Sequence, residues 1–161
     1  MARRRRSDSP VRRTSAGFVI DLGPEGSDVV VRLLGEMRDL LLAGSDAPAL
    51  RRVFPPAYHL ADDAEADREY QRLMHDELVA SRLAAIDAVV TVLRDDMPVD
   101  EAGLLAFMQS VNVMRLVLGT VLDVGEDDDG EIDPDHDLAA EYHLYGYLSY
   151  LLDAAVTALS G

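Results

Sequence analysis

The stretch HDLAAEYHLYGYLSYLLDAAVTALS, residues 136–160, decides the fold. Leu138, Tyr142, Tyr145, Leu148, Leu152, Ala155 and Leu159 recur in it at steps of three and four. That spacing lines one face of an α-helix, and an apolar face of this length must be buried against other elements. It is the most regular apolar stripe in the chain.

Working back from it, residues 125–135 are a loop of Asp, Glu and Gly with Pro134 near its end. Asp100 is placed to cap a helix over about 101–122, behind the break at Pro98. A longer helix is predicted from a cap at Asp62 or Asp63 to about Arg94. Its expected inner face is Tyr70, Leu73, Met74, Leu78, Ala85, Ala88, Val89 and Val92. Asp46-Ala47-Pro48 opens a short helix with Leu50 and Val53, stopped by Pro55-Pro56. The first helix begins near Glu25 or Gly26, turns Val30, Leu33, Leu34, Met37, Leu40 and Leu41 inward, and ends at Gly44. Phe18 to Leu22 is a short strand-like run ended by Gly23-Pro24, and no clear second strand accompanies it. Residues 1–16 read as a disordered basic arm. The expected fold is therefore all-α: an antiparallel bundle of four main helices plus one short helix, with a short N-terminal strand-like segment, in a single domain over 17–161. There is no internal repeat.

Composition agrees with a helical core. Six Tyr, three Phe and no Trp leave Leu, Val, Ala and Met to fill the interior. Cysteine is absent, which excludes disulfides, thiolate chemistry and Cys-ligated zinc. All fifteen basic residues are Arg. Residues 1–13 hold six of them (Arg3, Arg4, Arg5, Arg6, Arg12, Arg13) against Asp8, and residues 14–161 hold nine against twenty-nine acids, a net of −20. Such a body repels a phosphate backbone and attracts a basic protein partner. Nucleic acid is expected at most through the arm arginines. No stretch reads as long and apolar enough to cross a membrane, and no apolar segment of signal length follows the Arg run, so a cytoplasmic location is expected.

The acidic loop resembles a calcium loop only in part. With Gly130 at the turn, Asp127, Asp129 and Asp133 fall at ligand positions, but Gly125 and His136 stand where the first ligand and the closing Glu are needed. A solvated acidic turn is the better reading. His59, His75, His136 and His143 make no His-Glu-x-x-His spacing, so no metal or other cofactor is expected. No phosphate loop, nucleophile context or paired catalytic carboxylates stand out, so an enzyme is not expected. Met108, Asn112, Arg115 and Gly119 share one helix face that is expected to turn inward. An inward Arg needs a partner, and Glu77 on the long helix is the candidate for a structural ion pair with Arg115.

Arg51-Arg52-Val53-Phe54-Pro55-Pro56-Ala57-Tyr58, Met74-His75-Asp76-Glu77-Leu78 and Asn112-Val113-Met114-Arg115-Leu116-Val117-Leu118-Gly119-Thr120 together resemble an actinomycete family of small helical proteins, the AosR-like family. The resemblance covers roughly residues 18–160 and includes the acidic loop and the Tyr-containing last helix. The family is a domain of unknown function, often encoded beside the ClpS protease adaptor, and its named member is an oxidative-stress regulator. The resemblance implies a transcription-associated protein that binds another protein, such as a stress sigma factor or an RNA polymerase component. The alternative it implies is an adaptor or scaffold linked to regulated proteolysis. The named member's redox sensing rests on a pair of N-terminal cysteines, and here that arm has Arg, Ser and Asp, so a thiol switch is impossible in this chain. A homodimer is compatible with the unpaired strand and the strong stripe of the last helix.

Overall fold

Asp100 starts the central helix. Its carboxylate accepts the backbone N–H of Gly103 at 2.8 Å, as an N-cap should, and α-helix Glu101–Val121 follows. The computed structural model describes residues 9–44, 48–50, 52–53, 64–123 and 137–161. In chain order the elements are β1 Val11–Thr14, β2 Gly17–Ile20, α1 Gly23–Ala43, a 3-10 turn at Pro48–Leu50, α2 Ala64–Asp95, α3 Glu101–Val121 and α4 Ala139–Ser160. The chain is all-α with four main helices and one small two-stranded sheet.

The helix α3 is the hub. It packs on α1, α2, α4, β2 and the 3-10 turn, and buries Leu104, Phe107, Val111 and Met114. Truncating a core side chain such as Phe107 costs about 3–5 kcal/mol in comparable sites. By length and composition α3 is apolar enough to cross a membrane, which corrects the sequence reading that no stretch is. Its packing on five other elements accounts for that apolarity.

The helix α1 buries Val30, Leu34, Met37 and Leu41 as predicted, and ends at Gly44. Its Arg38 pairs with Asp87 of α2, and both side chains are well exposed, so screening leaves the pair a modest contributor at best. In α4 the core side is Leu148, Leu151, Ala154, Ala155 and Ala158, with Tyr142, Tyr145 and Leu152 half-buried beside it.

The buried side of α2 differs in part from the sequence reading. Its core side is Ile86, Val89 and Leu93, with Val79, Leu83 and Val90 packed against them. Tyr70, Leu73, Met74, Leu78 and Ala88, expected inside, are exposed. Ala85 and Val89 are buried and Val92 packs against the core as expected, while the buried side also takes in Ile86 and Leu93, each one residue on from 85 and 92. With 32 residues, α2 is also about half as long again as the helices it packs on, so its N-terminal part runs on with little cover.

The missing strand partner comes from residues assigned to the arm. Val11–Thr14 pairs antiparallel with Gly17–Ile20, setting Val11 opposite Ile20 and Arg13 opposite Phe18. On its other edge Phe18 exchanges both backbone hydrogen bonds with Val99, each 2.8 Å. Val11, Phe18 and Ile20 are all buried. Residues 9–16 therefore belong to the folded unit with β2, and the arm boundary at 16 is too late. Only Val11 and Thr14 carry a strand signal there, and Arg12-Arg13 between them continues the composition of the Arg run.

Candidate partner-binding surface

The hairpin aims α1. The backbone N–H of Asp21 donates to the Pro10 carbonyl at 2.8 Å, closing the base of the hairpin. The Asp21 carboxylate accepts the N–H of Gly23 at 3.2 Å, and Pro24 occupies the first helical turn, where a missing N–H is harmless. Gly26 follows one turn into α1. A Cβ there would lie 2.8 Å from the Tyr147 hydroxyl, so the absent side chain is what lets Tyr147 of α4 reach across. Burial, with a smaller push from the Tyr150 phenol, raises the Tyr147 pKa above its ordinary 10.0.

Among the described residues, α1 and α4 make few other close backbone contacts, and an opening, the α1–α4 seam, lies between their N-terminal parts. The opening is a cavity of ≈ 650 Å³ whose floor is mainly Leu22, Val29, Ala140, Leu144 and Tyr147, with Glu25 and His143 at its edge. On the other side of Leu22-Gly23-Pro24 lies a second concavity of ≈ 570 Å³, carrying Asp21, Asp28 and Asp96 with Arg94. Four carboxylates thus stand against one guanidinium around the start of α1. A second apolar surface is the exposed part of α2, where Tyr70, Leu73, Met74 and Leu78 share one face.

The residues singled out from sequence are not brought together. Arg3, Arg4, Arg5 and Arg6 lie outside the described residues. Arg12 and Arg13 are strand residues, and Arg13 is engaged: it donates to the carbonyls of Ala158 at 3.2 Å and Leu159 at 2.7 Å, and its guanidinium sits 5.3 Å from the Phe18 ring centre. It closes the C-terminal end of α4, where orphan carbonyls and the helix dipole favour a cation. The expected Glu77–Arg115 pair does not form. Glu77 is exposed, off the core side of α2, and Arg115 is half-buried and donates to the Asn112 side chain on its own helix at 3.1 Å. Position 77 lies in the N-terminal part of α2, where the helix is exposed on nearly every side. Gly119 does permit close approach, since a Cβ there would lie 3.1 Å from Arg52 Nη1 and 3.2 Å from the Tyr145 ring.

Among the described residues no group of three or more His, Asp or Glu is placed to hold a metal. The acidic loop read against a calcium site, and with it His59 and His136, lies outside the described residues. Sequence reasoning missed the seam. Tyr147 falls off the stripe read for α4, and a glycine one turn into α1 gives no hint of what crosses it; only the acids at 21, 25 and 28 were visible.

The family described as "Domain of unknown function (DUF2017)" matches residues 8–159, beginning just before the hairpin. Two relatives, each named "Oxidative stress regulator AosR", come from Mycobacterium bovis (strain ATCC BAA-935 / AF2122/97) and Mycobacterium tuberculosis (strain ATCC 25618 / H37Rv). Each is 26% identical over 128 residues, covering 71% of this chain and 59% of the relative, so the match spans about three fifths of their length. No solved structure matches the chain.

Proposed function

The chain belongs to the DUF2017 family, and on that premise we propose that it is a non-enzymatic regulatory protein that acts in the cytoplasm by binding a basic protein partner. The observation that carries this is the match of most of the chain to relatives named oxidative stress regulators. Charge supports the mode of action. From Ser9 onward the chain has eleven Arg against twenty-nine acids, a net of −18, which steers a basic surface inward and turns phosphate away. The partner we favour is a stress sigma factor or another RNA polymerase component. Without cysteine the chain itself does not report oxidation through a thiol, so in this reading the partner or the cellular level of the protein carries the signal.

The test is affinity capture from nuclease-treated lysate of the native host, read by mass spectrometry. The baits are the full chain and a version lacking residues 1–8, which leaves β1 in place. Enrichment of a sigma factor or polymerase subunit by both supports the reading. Protease components in its place point to an adaptor in regulated proteolysis, and capture that vanishes without residues 1–8 moves the contact from the acidic body to the arm.

A further inference from the structure

We propose that the open α1–α4 seam is a docking groove for a basic amphipathic helix of a partner protein; this rests on the regulatory reading above and assigns its surface. Three observations meet here. The seam is concave and apolar, a cavity of ≈ 650 Å³ floored by Leu22, Val29, Leu144 and Tyr147. It lies between two helices that make few close backbone contacts among the described residues, a setting in which a third helix can lay an apolar face between the two existing ones. Its lining carries the carboxylate of Glu25, and Asp21, Asp28 and Asp96 stand with Arg94 in the neighbouring concavity across Leu22-Gly23-Pro24.

Charge selects the occupant. A second copy would bring another chain of net −18 from Ser9 onward, and its own Glu25, toward this groove. Nucleic acid would bring phosphates toward it. A segment with Leu-type side chains on one face and Lys or Arg beside them satisfies both floor and rim: the apolar side chains fill the cavity and the cations flank the carboxylates. The exposed apolar face of α2 serves as the comparison surface, since the described residues place nothing over it.

The test uses the full chain and two synthetic probes, a fourteen-residue Leu–Lys amphipathic peptide and its Leu–Glu counterpart, by fluorescence anisotropy at about 150 mM salt, a concentration at which distant surface charges are largely screened. The Leu–Lys peptide is expected to bind and the Leu–Glu peptide not to. In nitrogen-15 spectra its shifts are expected to cluster at residues 22–29 and 140–147. Leu144→Glu in the floor, the double rim change Glu25→Lys with Asp28→Lys, and Ala140→Trp, which fills the cavity without adding charge, are each expected to weaken binding about tenfold or more. Ala140 is exposed in the first turn of α4, which keeps that variant foldable. Leu73→Glu with Leu78→Glu on α2 is expected to leave binding unchanged.

No binding, shifts centred on α2, equal binding by the groove variants, or a concentration-dependent dimer that Leu144→Glu abolishes would each overturn the proposal. The regulatory reading is judged separately. If wild type and Leu144→Glu capture the same transcription component from lysate, the groove is wrong and the regulator stands. If the peptide maps to the seam and no transcription component is captured, the groove stands and the regulator falls.

Discussion

Arg13 and Leu159 are 146 positions apart in the chain and are joined by a 2.7 Å hydrogen bond from the Arg13 guanidinium to the Leu159 carbonyl. The same guanidinium reaches Ala158 and lies over Phe18, so one side chain ties the hairpin to the end of the last helix. Arg13→Ala is expected to lower stability by about 1–2 kcal/mol, the range for charge-assisted hydrogen bonds at a helix end. Urea unfolding followed by circular dichroism measures it. An unchanged midpoint would show that the bonds contribute nothing in solution.

Removing residues 1–8, whose sequence is polar and Arg-rich with no apolar periodicity, is expected to change stability by less than about 0.5 kcal/mol. Removing residues 1–14 takes away β1, its buried Val11 and the Arg13 contacts, and is expected to cost about 3 kcal/mol or more. The two truncations can be compared in one thermal melt. Equal melting temperatures would put β1 outside the cooperative unit.

Gly17 has φ of +118°, and a Cβ there would lie 2.3 Å from the Val99 carbonyl oxygen. The obstacle is backbone on both sides, because Phe18 and Val99 are hydrogen-bonded to each other. Gly17→Ala is therefore expected to destabilise by about 2–3 kcal/mol, with strain and clash acting together. Gly35→Ala is the control. Nothing lies within 4 Å of a Cβ there, so the helix-propensity gain is expected to stabilise slightly.

The Tyr147 phenol is expected to ionise above the ordinary 10.0, and spectrophotometric titration of wild type against Tyr147→Phe reads it directly. The sign of the linked stability effect is fixed. The unfolded phenol ionises first, so below pH 10 the group contributes no pH dependence. As pH rises through 10 the unfolded state binds fewer protons and stability falls. Tyr147→Phe should flatten that alkaline limb, and a limb of the same slope in both proteins would contradict a buried phenol.

Glu77→Ala is expected to be neutral within about 0.5 kcal/mol, since the side chain is exposed and makes no ion pair with Arg115. Asp100→Ala should cost about 1 kcal/mol, the usual loss for an N-cap. A double-mutant cycle over Glu77 and Arg115 with a coupling near 1 kcal/mol or more would restore the pair.

Much of the architecture was legible because its helices advertise themselves. The stripe of α1, the Asp100 cap and the apolar α3 each follow from short-range rules, and each is found where those rules put it. Two features were not legible. In α2 periodicity finds Ala85, Val89 and Val92 but gives no reason to stop the stripe short of Leu73, Met74 and Leu78, or to take in Ile86 and Leu93. That choice is made by α1 and α3, and it decides whether Glu77 meets Arg115. The strand β1 was hidden because Arg12 and Arg13 carry the composition of the arm, while its real signal is a long-range bond to α4. The seam is likewise a property of spacing between helices that are distant in sequence, with Gly26 and Tyr147 meeting only in three dimensions.

The clasp between the hairpin and α4 also bears on how the protein is made. A chain emerging from the ribosome presents β1 well before α4, yet the carbonyls that receive Arg13 belong to residues 158 and 159. Local helices can form as they appear, but the hairpin must wait for the last of them, and contacts this distant in sequence are the slow ones to close. Until then Val11, Phe18 and Ile20 lack part of their cover, because β1 packs on α4. Docking of the hairpin is expected to be a late closing step, one that a nascent chain cut short before residue 158 would lack.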